Sequence, residues 1–188
     1  MDLQQRKLQG GGDWTWFTEF AGVTMSSNYY TFHLMSVVMR ENWQIAGIME
    51  LGTYWGTMAI HLGLLGMRYG IPVTTFDIED LLEPGTKKIL DALRVQRNVG
   101  DIFEPTRQTQ IKEMMGSFPI YLIIDNGNKA KEFKEFVPML KSGSVVSVHD
   151  YGTEFFDADW EVHKDKVEPY LQDEWQAHNV QFASFKVR

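Results

Sequence analysis

Acidic residues close five short, mostly apolar runs in this chain: Glu50, Asp77, Asp101, Asp125, and Asp150 with His149 beside it. One or two such acids would be ordinary helix caps or turn formers. Five in succession point to a shared, polar edge. The first acid opens the stretch Glu50-Leu51-Gly52-Thr53-Tyr54-Trp55-Gly56. Glycines in a tight turn let backbone approach a ligand without a Cβ in the way, and a helix start beyond them offers free N–H groups. The stretch has neither Gly-x-Gly-x-x-Gly spacing nor a Gly-Lys-Ser/Thr ending, which argues against dinucleotide oxidoreductases and P-loop proteins. An acid at the strand tip would also repel a pyrophosphate. It suits a ligand with an ammonium or sulfonium group, and S-adenosylmethionine carries both.

These acids need a scaffold that brings strand ends together. Apolar runs at 44–50, 73–77, 121–125 and 144–149, with a weaker one at 94–99, read as strands buried on both faces of a parallel sheet. Helices are expected between them. Met58, Leu62 and Leu65 share one side of 57–67; Phe133, Phe136, Val137 and Leu140 share one side of 129–140, with Gly143 beyond its end. A charged helical piece from Trp160 precedes an alternating strand at 180–187. The pattern predicts a Rossmann-like α/β fold: a doubly wound, mostly parallel sheet with an antiparallel C-terminal edge strand. That domain is expected to span 44–188. Ahead of it, 1–13 reads as a flexible arm ending in Gly10-Gly11-Gly12, and 14–43 as an N-terminal helical and aromatic cap. The cap holds Trp14, Trp16, Phe17 and Phe20, then a helix at 29–40 with Tyr30, Leu34, Val37 and Val38 on one stripe.

Composition narrows the classes. A chain of 188 residues, 44% hydrophobic and 13% aromatic, can bury a full core. A formal charge of −7 speaks against a nucleic-acid-binding surface. Without cysteine, disulfides, thiolate metal sites and a cysteine nucleophile are excluded. The polar first ten residues and the lack of a membrane-length apolar run predict a cytoplasmic protein with no membrane partner. The aromatic segment at 14–20 could be a substrate lid, a staple on the sheet, or a homodimer contact.

The motifs, in order, resemble those of class I S-adenosylmethionine-dependent methyltransferases. Glu50-Leu51-Gly52-Thr53-Tyr54-Trp55-Gly56 looks like their first motif, and Tyr54 in place of the usual middle glycine resembles the catechol O-methyltransferase branch. The resemblance implies cofactor contacts from Glu50, Gly52, Thr53, Tyr54 and Gly56. It further implies ribose binding by Asp77 beside Ile78, and adenine binding by Asp101 with Ile102 covering the ring. Asp125 and Val148-His149-Asp150-Tyr151 resemble the fourth and fifth strand ends. The segments 125–129, 140–143 and 149–151 are also similar to small methyltransferases that modify sugars and antibiotics. The likeness spans residues 44–151.

The implied reaction is O-methylation of a hydroxyl on a small molecule or sugar. Methyl transfer needs the acceptor oxygen in line with the sulfonium methyl and a way to remove the hydroxyl proton. Asp125 and Asp150 could share Mg²⁺ or another divalent cation that acidifies the hydroxyl. His149 could instead act as base, with an ordinary pKa near neutrality. In the catechol branch a third metal ligand follows the fifth-strand acid, where this chain has Tyr151. The branch's catalytic lysine falls at Asn128, which reads better as a helix N-cap; Lys129 lies one residue later. These departures keep open a second reading, a non-catalytic module that binds S-adenosylmethionine or a nucleoside.

Overall fold

The computed structural model describes residues 6–7, 15–178 and 180–188. In chain order the elements are β1 (Arg6–Lys7), β2 (Thr15–Phe20), β3 (Val23–Asn28), α1 (Tyr29–Glu41), β4 (Ile48–Leu51), α2 (Thr57–Tyr69), β5 (Val73–Asp77), α3 (Pro84–Ala92) and β6 (Val95–Val99). There follow α4 (Pro105–Ser117), β7 (Tyr121–Ile124), α5 (Lys129–Phe136), β8 (Val145–His149), α6 (Asp157–Glu161), β9 (Val167–Tyr170), α7 (Gln172–Ala177) and β10 (Phe182–Val187).

Seven strands form the central sheet in the order β6-β5-β4-β7-β8-β10-β9. The first five run parallel, and β10 pairs antiparallel with both β8 and β9. The C-terminal strand is antiparallel, as expected, but lies one place in from the edge, which β9 occupies. Chain order reverses between β4 and β7, so a crevice must open beyond their carboxyl ends.

Period-two alternation divides the core between the two faces of the sheet. Ile48, Tyr121, Ile123 and Val145 join Leu34, Met35, Val38, Ile60 and Leu62 on one side. Met49, Leu51, Leu122, Ile124, Val146 and Val148 join Ile111, Met115, Phe133 and Phe136 on the other. Polar positions on these buried strands pair with one another. Tyr121 Oη, Ser147 Oγ and Ser184 Oγ form a chain across three strands, with steps of 2.9 and 2.6 Å. Burial without such partners would cost each hydroxyl about 1–3 kcal/mol.

The elements differ from expectation in several places. The aromatic-rich segment is a β-hairpin, with Ala21 and Gly22 at positive φ (53° and 80°) as a two-residue hairpin turn requires. Ala-Gly lacks the Asn or Asp that usually signals such a turn, and Trp14 lies outside the described residues. The run at 44–50 becomes a strand only from Ile48, because Gln44 Nε2 donates to Gly143 O and Ala46 N to Pro119 O. The helix expected over 129–140 leaves α geometry after Phe136 and continues as a 3₁₀ turn, Val137–Met139. Pro138 has no N–H to extend an α-helix. Of the arm expected over 1–13, the described part is Arg6–Lys7, which pairs with Thr15 and Trp16. No helix among the described residues is long and apolar enough to cross a membrane.

Helix α2 can lie close to the sheet because two of its inward positions are glycine. A Cβ on Gly66 would stand 2.3 Å from Val73 Cγ2, and one on Gly63 would stand 2.8 Å from Val95 Cγ2. G66A should therefore destabilise the fold by about 1–3 kcal/mol, the usual range for overpacking. Urea unfolding measures this directly; a variant as stable as wild type would show that α2 can shift without cost.

Candidate active site

The turn after β4 is shaped by backbone constraints. Gly52 N donates to Phe76 O at 2.8 Å, and Gly52 takes φ +104°. A Cβ there would stand 2.2 Å from the backbone oxygen of Asp125, so only glycine fits. Tyr54 takes φ +47°, and its N–H donates to Asp77 Oδ2 at 2.7 Å. The other carboxylate oxygen, Oδ1, accepts from Glu79 N at 3.2 Å. Thus the acid at the end of β5 holds the glycine turn at the end of β4. Gly56, at φ +88°, then starts α2.

Beyond these strand ends lies a cleft of about 660 Å³. Gly52, Thr53, Tyr54, Gly56, Asp77, Asp125, Lys129, His149 and Asp150, all anticipated from the sequence, line it together. Glu50, Ile78, Asp101 and Ile102 do not. Glu50 is fully buried under the turn, where Thr75 Oγ1 donates to its Oε2 at 2.5 Å. Thr53 Oγ1 lies 2.5 Å from Thr75 Oγ1, and either hydroxyl can donate. Ile102 packs in the core, and Asp101 Oδ1 accepts from Phe103 N at 2.8 Å in a local turn. Ile78 points to solvent. A second hollow of about 260 Å³ shares Thr53 and Asp77 with the cleft and runs to Asn98 and Val99 at the end of β6. Those two residues, with Trp55 and Glu154 in the main cleft, escaped the sequence reading. Their only signal was position: near a glycine, or at or after the end of a strand.

Five charged side chains meet along the cleft. His149 Nδ1 lies 2.9 Å from Asp125 Oδ1 and 3.3 Å from Asp150 Oδ2. Lys129 Nζ lies 2.9 Å from Asp150 Oδ2, 3.9 Å from Asp125 Oδ1 and 2.7 Å from Glu154 Oε2. Burial disfavours a charged His149, but the two carboxylates outweigh it and push its pKa up to about 10. The two carboxylates beside the ring favour its protonated form, and a ring in that form cannot accept a proton. Lys129 is likewise opposed by burial and held charged by Glu154 and Asp150. Asp150, despite partial burial, is held well below the usual carboxylate range by His149 and Lys129. Tyr151 turns away: its hydroxyl donates to Asp157, which also accepts from Trp160 Nε1 at 3.1 Å. Asn128 caps α5, its side chain accepting from Lys131 N at 3.1 Å.

No protein-family model matches the chain, and no curated protein matches it. Solved structures do. The fold is that of O-methyltransferases of known structure. A structure titled CmcI-N160 apo-structure superposes with a TM-score of 0.68 at 18% identity, covering 97% of this chain and 80% of that one. One titled cmcI-D160 Mg-SAM gives 0.66 at 16% identity, covering 97% and 81%. The O-methyltransferase TomG from Streptomyces achromogenes, described as involved in tomaymycin synthesis and in complex with SAM, gives 0.53 at 15% identity, covering 91% and 82%.

The magnesium in the second of those titles invites a test of this cluster. Asp125, His149 and Asp150 each offer a ligand atom, all within 4.8 Å of one another, a spacing that would suit a cation. The surroundings do not suit one. The Lys129 ammonium already lies against Asp150 and near Asp125, and the His149 ring bridges both acids. A divalent ion would have to displace one positive charge or sit beside two.

Burial raises the Glu50 pKa from 4.5 to about 8; the Thr75 hydrogen bond opposes this, and the Asp125 and Asp77 charges add to it. The folded protein then keeps a proton that the unfolded chain has lost above the ordinary carboxylate pKa. Stability falls as pH rises from about 4.5 to about 8, by on the order of 5 kcal/mol at most from this group. E50Q carries no such proton, so its melting temperature should decline less across that range. Identical slopes for the two proteins would show that Glu50 ionises freely.

Proposed function

We propose that this chain transfers the methyl group of S-adenosylmethionine to a hydroxyl of a small molecule or sugar. One observation carries the reading: the Gly52–Gly56 turn, tied to Asp77, faces the Asp125–His149–Asp150–Lys129 cluster across a single cleft. The volume, about 660 Å³, is in the range of small-molecule sites. O-methyltransferase structures of the same fold, some titled with SAM, Mg or an antibiotic pathway, support it further.

The turn would hold the methionine end of the cofactor through its backbone, with no Cβ at Gly52 to obstruct it. Asp77, which lines the cleft, would accept from the ribose hydroxyls, and the hollow it shares with Asn98 and Val99 would take the adenine. In the transfer, the acceptor oxygen forms a bond to the methyl carbon as the carbon–sulfur bond breaks and its electron pair stays on sulfur. The hydroxyl proton leaves to a carboxylate of the cluster, since His149 already holds a proton. Charged Lys129 and His149 lower the pKa of the hydroxyl and stabilise the developing oxyanion.

Thermal shift with S-adenosylmethionine and S-adenosylhomocysteine tests the cofactor. Saturation at 100-fold over Kd should stabilise the protein by about 2.7 kcal/mol. D77A should weaken binding at least about tenfold, the expected cost of losing charged hydrogen bonds. If neither ligand raises the melting temperature, the reading fails. Labelled methyl transfer to a panel of hydroxyl acceptors tests the reaction, and binding without turnover on that panel would favour a non-catalytic module. The pH profile of kcat/KM should lack an inflection near pH 6.5, the ordinary histidine value, because His149 stays protonated well above it.

A further inference from the structure

Lys129 has surroundings unlike those of a surface lysine. Its side chain is 5% exposed, and four oxygens surround the ammonium: Glu154 Oε2 at 2.7 Å, Asp150 Oδ2 at 2.9 Å, Asn126 O at 3.1 Å and Asp125 Oδ1 at 3.9 Å. Two separate pieces of chain supply them, the end of β7 and the loop after β8. Asn128 caps α5, so Lys129 is its first helical residue and can reach back to the end of β7. After β8, Asp150 takes φ +59°, and its carbonyl accepts from Thr153 N, Glu154 N and Phe155 N. That knot folds Glu154 back over the ammonium. An oxygen cage around a buried point charge is also what a hard divalent cation requires.

We infer that Lys129 is the resident cation of this cluster. Its ammonium stands in place of a divalent ion between Asp125 and Asp150, so the acceptor oxygen meets a lysine and not a metal. The first half of this inference rests on geometry alone; the second rests on the methyltransferase reading. The ammonium already occupies the space beside both carboxylates, so a divalent ion would have to expel it or share those oxygens with it.

Manganese binding followed by electron paramagnetic resonance, with no cofactor present, separates this inference from the proposed activity. K129A should bind Mn²⁺ at least about tenfold more tightly than wild type, and D150N in the K129A background should abolish the gain. Wild type binding Mn²⁺ as tightly as K129A would overturn the inference. Removing a buried cation can unfold a protein, so a wild-type measurement stands beside it. The Lys129 side-chain ¹H–¹⁵N ammonium resonance should persist unshifted through a Mg²⁺ titration, and its displacement or loss would overturn the inference equally. Given active enzyme, methyl transfer should survive EDTA; abolition by EDTA would overturn the second half while leaving the proposed activity in place.

Discussion

The closeness of the β4 turn to the end of β7 governs this site. A Cβ on Gly52 would overlap the Asp125 carbonyl, so the two strand ends can approach only because residue 52 has no side chain. Their parallel register, Leu51 opposite Ile124, puts the turn and Asp125 at one level of the sheet. The cleft is therefore bounded on one side by backbone and on the other by a carboxylate. Asp77 locks the same turn from β5 by accepting the Tyr54 N–H. Three neighbouring strands thus share one contact region at the point where chain order reverses.

Charge in the site is layered. Glu50 lies beneath the turn, sealed by Thr75 and Thr53, and acts on the cleft through the turn it supports. Asp77 spends both carboxylate oxygens on backbone N–H groups and still lines the cleft. On the far wall, acids alternate with Lys129 and His149, and every charge has an opposite partner within 3.3 Å. A buried ion pair stabilises little by itself, and breaking one strands its partner at high cost. Such a network is better suited to holding groups in place than to strengthening the fold.

Much of this was legible in the chain. Strands 73–77 and 144–149 were visible because residues buried on both faces make short continuous apolar runs, and their acids closed them. Asp125, His149, Asp150 and Lys129 could be named because they lie at or just past those ends. The hairpin was not legible, since its aromatic residues fit helix or strand and its Ala-Gly turn is atypical. Asp101 and Ile102 were named from their order in a motif; in the fold Asp101 Oδ1 accepts from Phe103 N and Ile102 packs in the core, so neither lines the main cleft.

The sequence by itself determined the alternation of elements, the acids at their ends and the glycines at the first turn, because these depend on local periodicity and on φ. The tertiary structure decided which acids share a cleft and which are buried, and it decided what charge each carries. Glu50 is sealed beneath the turn, and His149 bridges two carboxylates that favour its protonated form. Glu154, unremarkable in the chain, became the closest partner of Lys129. Proton affinity depends on desolvation and on neighbours a few ångströms away, and those neighbours come from strands and loops 20 or more positions apart in the chain.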